Sequence, residues 1–120
     1  MVAREHASCA SLTGRAERIA QLNDQLRKTG IGGRIVVTRG VQELPGFCAQ
    51  RLLTQLASYD AFDVDNDPHR ERDFGGLECC GAELLWKIGY YDPRMMWGSA
   101  NPADPLVTVR VLTILLATEY

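Results

Sequence analysis

Carboxylates are concentrated in one stretch of the chain, DAFDVDNDPHRERD at residues 60–73. Asp63, Asp65 and Asp67 alternate there in the way that the first ligands of a calcium-binding loop do. The pattern then departs from such a loop, because its sixth position holds proline instead of glycine and its twelfth holds phenylalanine instead of glutamate. The stretch is therefore not an EF-hand loop.

Two uses of these carboxylates stay open. Asp65, Asp67, Glu71 and Asp73 supply the oxygen ligands that a hard divalent cation prefers, and such a site would support a hydrolase or a nuclease. The same side chains can instead cap turns around Pro68 and present negative charge to a partner. We predict a contact surface and keep the metal-dependent enzyme as the alternative.

Aromatic and methionine side chains follow further along the chain. Tyr90 and Tyr91 are neighbours in a predicted strand, so their side chains lie on opposite faces and one of them points away from the core. Met96 and Trp97 form a second such pair, and exposed residues of these types are frequent anchors of protein interfaces. The predicted binding residues are Asp63, Asp65, Asp67, Glu71, Asp73, Tyr91, Met96 and Trp97.

The sequence contains no recognisable catalytic set. Ser99 lies in Gly-Ser-Ala-Asn, which lacks the second glycine of a hydrolase nucleophile elbow. The four cysteines, Cys9, Cys48, Cys79 and Cys80, show no C-x-x-C spacing, which favours reduced, buried thiols over metal ligands or disulfides. We therefore predict no catalytic residue, no metal ligand and no cofactor, and we expect a protein that is not an enzyme.

Charge and hydropathy limit the possible partners. The net charge of −2 over 120 residues disfavours a general nucleic-acid binder or a membrane-surface binder. The charge is uneven, because residues 1–39 carry seven basic and three acidic side chains while residues 40–92 carry four and ten. With no apolar run long enough for a membrane span and no signal-peptide pattern, we expect a cytoplasmic protein. A homodimer is kept as a further alternative.

Periodicity predicts the elements that must position these residues. A flexible segment at 1–12 precedes a single domain at 13–120. Helical stripes predict one helix from Gly14 to Thr29 and another that begins near Pro45, and a β-branched run predicts a strand from Arg34 to Thr38. The segment Arg94 to Trp97 is expected to add a short strand.

A β-hairpin with a Cys80-Gly81 turn is the element best defined by its pattern, because glycine accepts the positive φ that two-residue turns require. This turn places Cys79 opposite Ala82, Leu77 opposite Leu84 and Gly75 opposite Trp86. The predicted core face then carries Leu77, Leu84, Trp86 and Ile88, with Gly75, Cys79, Ala82 and Tyr90 on the same side.

The last segment, Leu106 to Thr118, alternates like a strand but is long for one. Asp104 followed by Pro105 has the pattern of a helix N-cap with proline at the first position, so we expect a buried helix there. The element order predicts an α+β fold, in which a small antiparallel or mixed sheet of three to four strands packs against three helices.

Several short motifs occur together along the chain: NDP at 66–68, DFG at 73–75, WKI at 86–88, YYD at 90–92, ADP at 103–105 and VRVLTILLATEY at 109–120. Together with Gly98-Ser99, this ordered set resembles a family of small proteins of unknown function that is common on proteobacterial plasmids and other mobile elements. The resemblance covers about residues 15–120. It departs from the family at Arg72, where histidine is expected, and this weakens the idea of a shared metal site in the loop.

The resemblance implies accessory roles such as plasmid maintenance or neutralisation of host defence, and it implies no catalytic residues. Combined with the acidic stretch and the aromatic residues, it leads us to expect a non-enzymatic protein-binding factor. Its partner would be a protein with a basic patch, and inhibition of a host defence system, of the anti-CRISPR or anti-restriction type, is the role that the resemblance suggests.

Overall fold

A computed structural model describes residues 11–120, with side chains from residue 14 onward. Of the segment 1–12 that was expected to be flexible, residues 1–10, which include Cys9, lie outside the described residues, and residues 11 and 12 belong to the first helix. The elements in order are α1 (Ser11–Thr29), β1 (Arg34–Val37), α2 (Arg39–Gln42), α3 (Ala49–Ala57), β2 (Phe74–Cys79), β3 (Ala82–Tyr91) and β4 (Val109–Leu116), with short 3₁₀ helices at Pro105–Val107 and Ala117–Glu119.

The four strands form one mixed sheet in the order β1-β4-β3-β2. β4 runs parallel to β1 and antiparallel to β3, and β2 and β3 form the antiparallel hairpin. Side chains from all three helices enter one continuous core with the inner face of the sheet. The predicted α+β class, with a mixed sheet and three helices among the described residues, is therefore confirmed.

The hairpin has the predicted turn and register. Cys80 and Gly81 have φ values of 57° and 77°, as a two-residue turn with two left-handed positions requires. Cys79 pairs with Ala82, Leu77 with Leu84 and Gly75 with Trp86. The predicted core face is confirmed as well, because Leu84, Trp86 and Ile88 are buried and Leu77 packs against them.

The prediction of a buried helix over Leu106 to Thr118 was wrong. Asp104 does cap, since its carboxylate accepts a hydrogen bond from the Leu106 N–H at 2.9 Å, but the element that it starts is the three-residue 3₁₀ helix Pro105–Val107. The chain then becomes β4. Burial alternates along this strand from Val109 to Ile114, as the strand-like alternation of the sequence indicated. The helix was expected because of the length of the segment and its Asp104-Pro105 cap pattern.

Two further boundaries differ from expectation. No helix begins near Pro45, because Gly46 adopts a φ of 84° and the chain turns before α3 starts at Ala49. The short α2 was missed. Its N-cap is Thr38, a residue type that favours this position, and the Thr38 side chain accepts a hydrogen bond from the Val41 N–H. The strand expected over Arg94 to Trp97 is a turn instead, joined to the sheet by a single bridge from Gly98 to Tyr91.

Trp86 occupies the centre of the core and is fully buried. Its ring makes edge-to-face contacts with Tyr59 at 5.4 Å and Phe62 at 6.0 Å between centroids, a favourable aromatic geometry. Gly75 lies opposite it in β2, and a Cβ atom added there would come within 2.6 Å of both Trp86 Nε1 and Tyr59 Cζ. The absence of a side chain at Gly75 therefore makes room for the aromatic cluster.

We predict that Gly75→Ala lowers the free energy of unfolding by about 1–3 kcal/mol, because the added methyl overpacks Trp86 and Tyr59. Gly76→Ala is the matched control, since it lies next in the same exposed edge strand and its Cβ would meet nothing closer than 3.8 Å. Urea denaturation followed by tryptophan fluorescence measures both variants. Equal stability of the two would show that the cluster relaxes freely around Gly75.

Candidate functional site

A buried polar cluster connects α1 to the sheet, and Asn23 is at its centre. Asn23 is fully buried, and its amide nitrogen donates to the Tyr90 hydroxyl at 2.8 Å and to the Glu71 carbonyl oxygen at 2.9 Å. Its amide oxygen accepts a hydrogen bond from Arg110 Nε at 2.9 Å. One side chain therefore holds β3, β4 and the end of the 60–73 loop together.

Arg110 places a cation in this interior. It is 1% exposed, donates also to the Pro102 carbonyl oxygen, and lies over the Tyr90 ring at 5.3 Å from the centroid. Burial lowers the pKa of Arg110. Burial also raises the pKa of Tyr90 well above its ordinary value, so the phenol stays neutral and donates to the Glu71 carboxylate at 2.9 Å. The cluster thus brings together a cation, an amide, a phenol and a carboxylate.

Arg27 forms a second buried contact of α1. Its guanidinium is 3% exposed, and it donates to the carbonyl oxygens of Leu56 and Tyr59, both at 2.9 Å. A cation at this position satisfies free carbonyls and complements the dipole at the C-terminal end of α3. The same group lies over the Phe62 ring at 5.5 Å, which adds a cation–π contact. Arg27 therefore fixes α3 against α1.

Asp24 links these contacts to the loop. Its carboxylate pairs with Arg27 at 3.1 Å and with Arg72 at 2.9 Å. Arg72 also lies 3.6 Å from Glu17, one more acidic side chain of α1. The arginine at the position where histidine was expected therefore anchors the end of the loop to α1 through two carboxylates.

The structure divides the predicted acidic residues into two groups. Asp67 is 8% exposed and accepts the Arg72 N–H at 3.0 Å, while Glu71 bonds to Tyr90 and Asp73 is half-buried beside them. Asp63 and Asp65 are exposed, and Asp63 uses its carboxylate to accept the Asp65 and Asn66 N–H groups at 2.9 and 3.0 Å. The inner carboxylates, Asp67, Glu71 and Asp73, therefore lie against the protein, and the outer carboxylates, Asp63 and Asp65, face solvent.

No group of three or more His, Cys, Asp or Glu side chains within residues 11–120 is arranged so that it could hold a metal ion. Of the four carboxylates that a cation site was expected to use, Asp67 and Glu71 are already hydrogen-bonded within the protein. No contact described in this part of the chain favours the metal-dependent alternative.

The predicted aromatic residues lie in a tight turn after β3. Tyr91, Met96 and Trp97 are 39%, 67% and 72% exposed, and Met95 between them is 40% exposed. Asp92 holds the turn, since its carboxylate accepts the Met96 and Trp97 N–H groups at 2.9 and 3.2 Å and its own N–H donates to the Trp97 carbonyl oxygen at 2.8 Å. We call Tyr91 and Met95–Trp97 the apolar turn.

The 60–73 loop, here called the acidic loop, and the apolar turn adjoin different strands at the same end of the hairpin. The loop enters β2 at Phe74, and the turn leaves β3 at Tyr91. The Ile88 N–H donates to the Asp73 carbonyl oxygen at 2.9 Å, which ties the end of the loop to β3 three residues before the turn. Inner loop residues contact Tyr90 on the core face, whereas Tyr91 lies on the other face of the sheet.

The polar residues at the centre of the cluster, Asn23, Arg27 and Arg110, were missed by reading the sequence. Their signal is the position of a polar side chain within an apolar helical stripe or on the core side of a strand. For Asn23 and Arg27 this signal lies in α1, whereas for Arg110 it can be seen only when β4 is recognised as a strand.

The fold and the buried cluster define the class first: a small α+β domain whose α1 is fixed by buried polar contacts. The chain belongs to the family DUF3768, described as proteins of unknown function, whose model matches residues 37–119. The match includes the loop, the hairpin, the apolar turn and β4, while α1 precedes it. No curated protein and no solved structure matches the chain. Within the described residues, no helix is both long enough and apolar enough to cross a membrane.

We predict that Asn23→Ala lowers the free energy of unfolding by about 2–4 kcal/mol, because it leaves the buried Arg110 Nε without its acceptor. Gln25→Ala on the exposed side of α1 is the control and should stay within about 0.5 kcal/mol of the unchanged chain. Denaturant titration measures both. A loss in Asn23→Ala no larger than that of the control would mean that water replaces the amide.

The half-buried Asp73 gives a pH-dependent prediction. Burial first, and then the charges of Glu71 and Asp67, raise the pKa of Asp73 above its usual range. The folded chain therefore holds this proton more tightly than the unfolded chain does. The ionised carboxylate opposes folding, and this penalty grows as pH rises from the unfolded value of about 3.9 through the folded value.

Asp73→Asn should accordingly raise the free energy of unfolding at about pH 7 and change it little at about pH 3, where both states are protonated. Denaturation at the two pH values measures this difference. Asp65→Asn, at an exposed carboxylate in the same loop, is the control and should have little effect at either pH. Destabilisation of Asp73→Asn at neutral pH would contradict the sign.

Proposed function

We propose that this chain is a non-enzymatic protein-binding factor that uses the apolar turn together with the outer carboxylates Asp63 and Asp65. The observation that carries the proposal is the apolar turn itself, in which three consecutive large apolar side chains, Met95, Met96 and Trp97, are all exposed. Large contiguous apolar surface is uncommon on proteins that remain without partners.

The rigidity of the turn supports a binding role. Met95 adopts a φ of 62°, a left-handed conformation that a non-glycine residue adopts only where its surroundings impose it. Asp92 supplies those surroundings through its hydrogen bonds to the Met96 and Trp97 N–H groups. A surface that is ordered before binding loses less conformational entropy on association, and methionine adapts readily to the shape of a partner.

The charge of the exposed part of the acidic loop indicates the chemistry of the partner. Asp60, Asp63 and Asp65 are exposed in the first part of the loop. Residues 60–69 contain no lysine or arginine that would balance their charge. Such a surface favours a basic patch on the partner, chiefly by accelerating association and excluding acidic surfaces. Asp67, Glu71 and Asp73 support the loop from inside and take no direct part in this proposal.

The proposal includes the biological setting that the sequence resemblance implies. The partner is a host protein of a defence system, and the chain acts as its inhibitor on behalf of a plasmid or another mobile element. The family DUF3768 has no described function, so this part of the proposal rests on the sequence resemblance and on the experiment below.

We predict that Trp97→Ala weakens partner binding by at least about 30-fold, because a central tryptophan anchor contributes about 2 kcal/mol or more. Asp65→Lys should weaken it less, and the effect should shrink at high salt. Quantitative affinity capture from bacterial lysate identifies proteins retained by the unchanged chain and lost by these variants, and titration with the purified partner measures the affinities.

Leu53→Ala is the matched control, because Leu53 is an exposed apolar residue at 41% that lies on α3 and outside the apolar turn. It should retain the same partner. In cells, the unchanged chain and Leu53→Ala should protect a plasmid against restriction or CRISPR cleavage. Trp97→Ala and Asp65→Lys should protect it less, in the order of their affinities. Capture of the same proteins by all of them, or calorimetric binding of Mg²⁺ or Mn²⁺ that Asp65→Asn abolishes, would overturn the proposal, and the second result would favour the hydrolase alternative.

A further inference from the structure

The tip of the hairpin carries two adjacent thiols whose positions differ sharply in access. Cys79 is 8% exposed and belongs to the core, whereas Cys80 is exposed in the turn. Their Sγ atoms lie 3.4 Å apart, close enough for one thiol to donate a hydrogen bond to the other. The expectation of buried structural thiols holds for Cys79 and was wrong for Cys80 and for Cys48, which are both exposed.

We propose that Cys79 and Cys80 form a reversible redox site that reacts with small-molecule disulfides of the glutathione class. Cys80 is the attacking thiol and Cys79 the resolving thiol. This site lies at the end of the hairpin opposite to the apolar turn, and it does not depend on the proposed binding function.

Access and acidity determine the order of the two steps. Thiol–disulfide exchange requires an attacking sulfur that the small disulfide can reach, and the exposed Cys80 is accessible to it. Burial raises the pKa of Cys79, and its hydrogen bond to Cys80 adds to this effect, which disfavours the Cys79 thiolate as the first nucleophile. The exposed residue therefore reacts first.

The chemistry balances without a further reactant. In the first step the Cys80 thiolate attacks the small disulfide RSSR, the S–S bond of RSSR breaks, and a mixed disulfide Cys80–S–S–R forms with release of one RS⁻. In the second step the Cys79 thiol gives its proton to the RS⁻ released before, its Sγ attacks Cys80 Sγ, the S–S bond of the mixed disulfide breaks, and the other RS⁻ leaves. Two electrons pass from the two thiols to RSSR, and the two thiol protons leave with the RSH products.

The backbone makes the product easy to reduce. Adjacent Cα atoms across a trans peptide are about 3.8 Å apart, which is below the usual range for disulfide-linked residues of about 4.4–6.8 Å. A disulfide closed within this turn is strained, and strained or exposed disulfides are the labile, regulatory ones. The pair is thus suited to respond to the thiol redox state and unsuited to serve as a permanent cross-link.

Cys48 is the nearest competitor for the resolving role. It precedes α3, and its charge contributes weakly to the raised pKa of Cys79, which places it in the neighbourhood of the hairpin tip. The Cys80 sulfur also faces the loop before α3, because a Cβ on Gly46 would lie 3.9 Å from it. The Sγ separation of 3.4 Å favours Cys79 as the partner of Cys80.

The test uses the full chain with Cys9→Ser, since Cys9 lies outside the described residues. The reduced protein is incubated with oxidised glutathione, alkylated at successive times and mapped by mass spectrometry. We expect a glutathione adduct at Cys80 to appear first and then to convert into a Cys79–Cys80 disulfide, which excess reduced glutathione reverses. This time course needs no substitution in the hairpin.

Three variants separate the roles. Cys79→Ala should accumulate the Cys80 adduct at least tenfold over the parent, because no resolving thiol remains. Cys80→Asn keeps a residue that tolerates positive φ, and it should leave Cys79 unmodified. Cys48→Ser should behave as the parent. A Cys48–Cys80 disulfide, first reaction at Cys79, or a Cys80 adduct that persists equally with and without Cys79 would overturn the assignment.

Discussion

The structure depends on a buried polar face of one helix. Asn23, Asp24 and Arg27 of α1 each bind a different part of the chain: Asn23 binds the sheet, Asp24 the end of the acidic loop, and Arg27 the carbonyl end of α3. Apolar burial is non-directional, and it would allow α1 to slide along the sheet. The hydrogen bonds of these side chains require one position, because each buried donor left without an acceptor costs free energy.

This arrangement separates two properties of the acidic loop that the sequence presents as one. Two of its carboxylates stabilise the loop itself, since Asp67 accepts the backbone N–H of Arg72 and Glu71 accepts a hydrogen bond from the Tyr90 hydroxyl. Those farther from α1 meet solvent. A run of like charges therefore serves two purposes, and its net charge overstates the acidity that a partner would meet. The apolar turn is free of this ambiguity, because nothing in the described part of the chain covers Met96 or Trp97.

The hairpin was readable in detail because Cys80-Gly81 fixes the turn and a shift by one residue would bury Glu78 and Glu83. β4 was not identified, because the length of the segment Leu106 to Thr118 and its Asp104-Pro105 cap pattern outweighed its strand-like alternation. The exposed half of the candidate site followed from residue type alone. The internal half did not, since Asn23 and Arg110 are 87 positions apart and their contact depends on a strand that the pattern did not identify.

The parallel pairing of β1 with β4 has a consequence for how the chain is made. Residues 34–37 are synthesised 77 positions before their partners, residues 111–114. The hairpin can close locally, but β4, the strand between it and β1, is synthesised after both of them. Until then the nascent chain exposes the unpaired strand edges and apolar faces that chaperones recognise and that promote aggregation. A chain truncated before residue 109 would lack this central strand, and β1 would then have no neighbouring strand in the sheet.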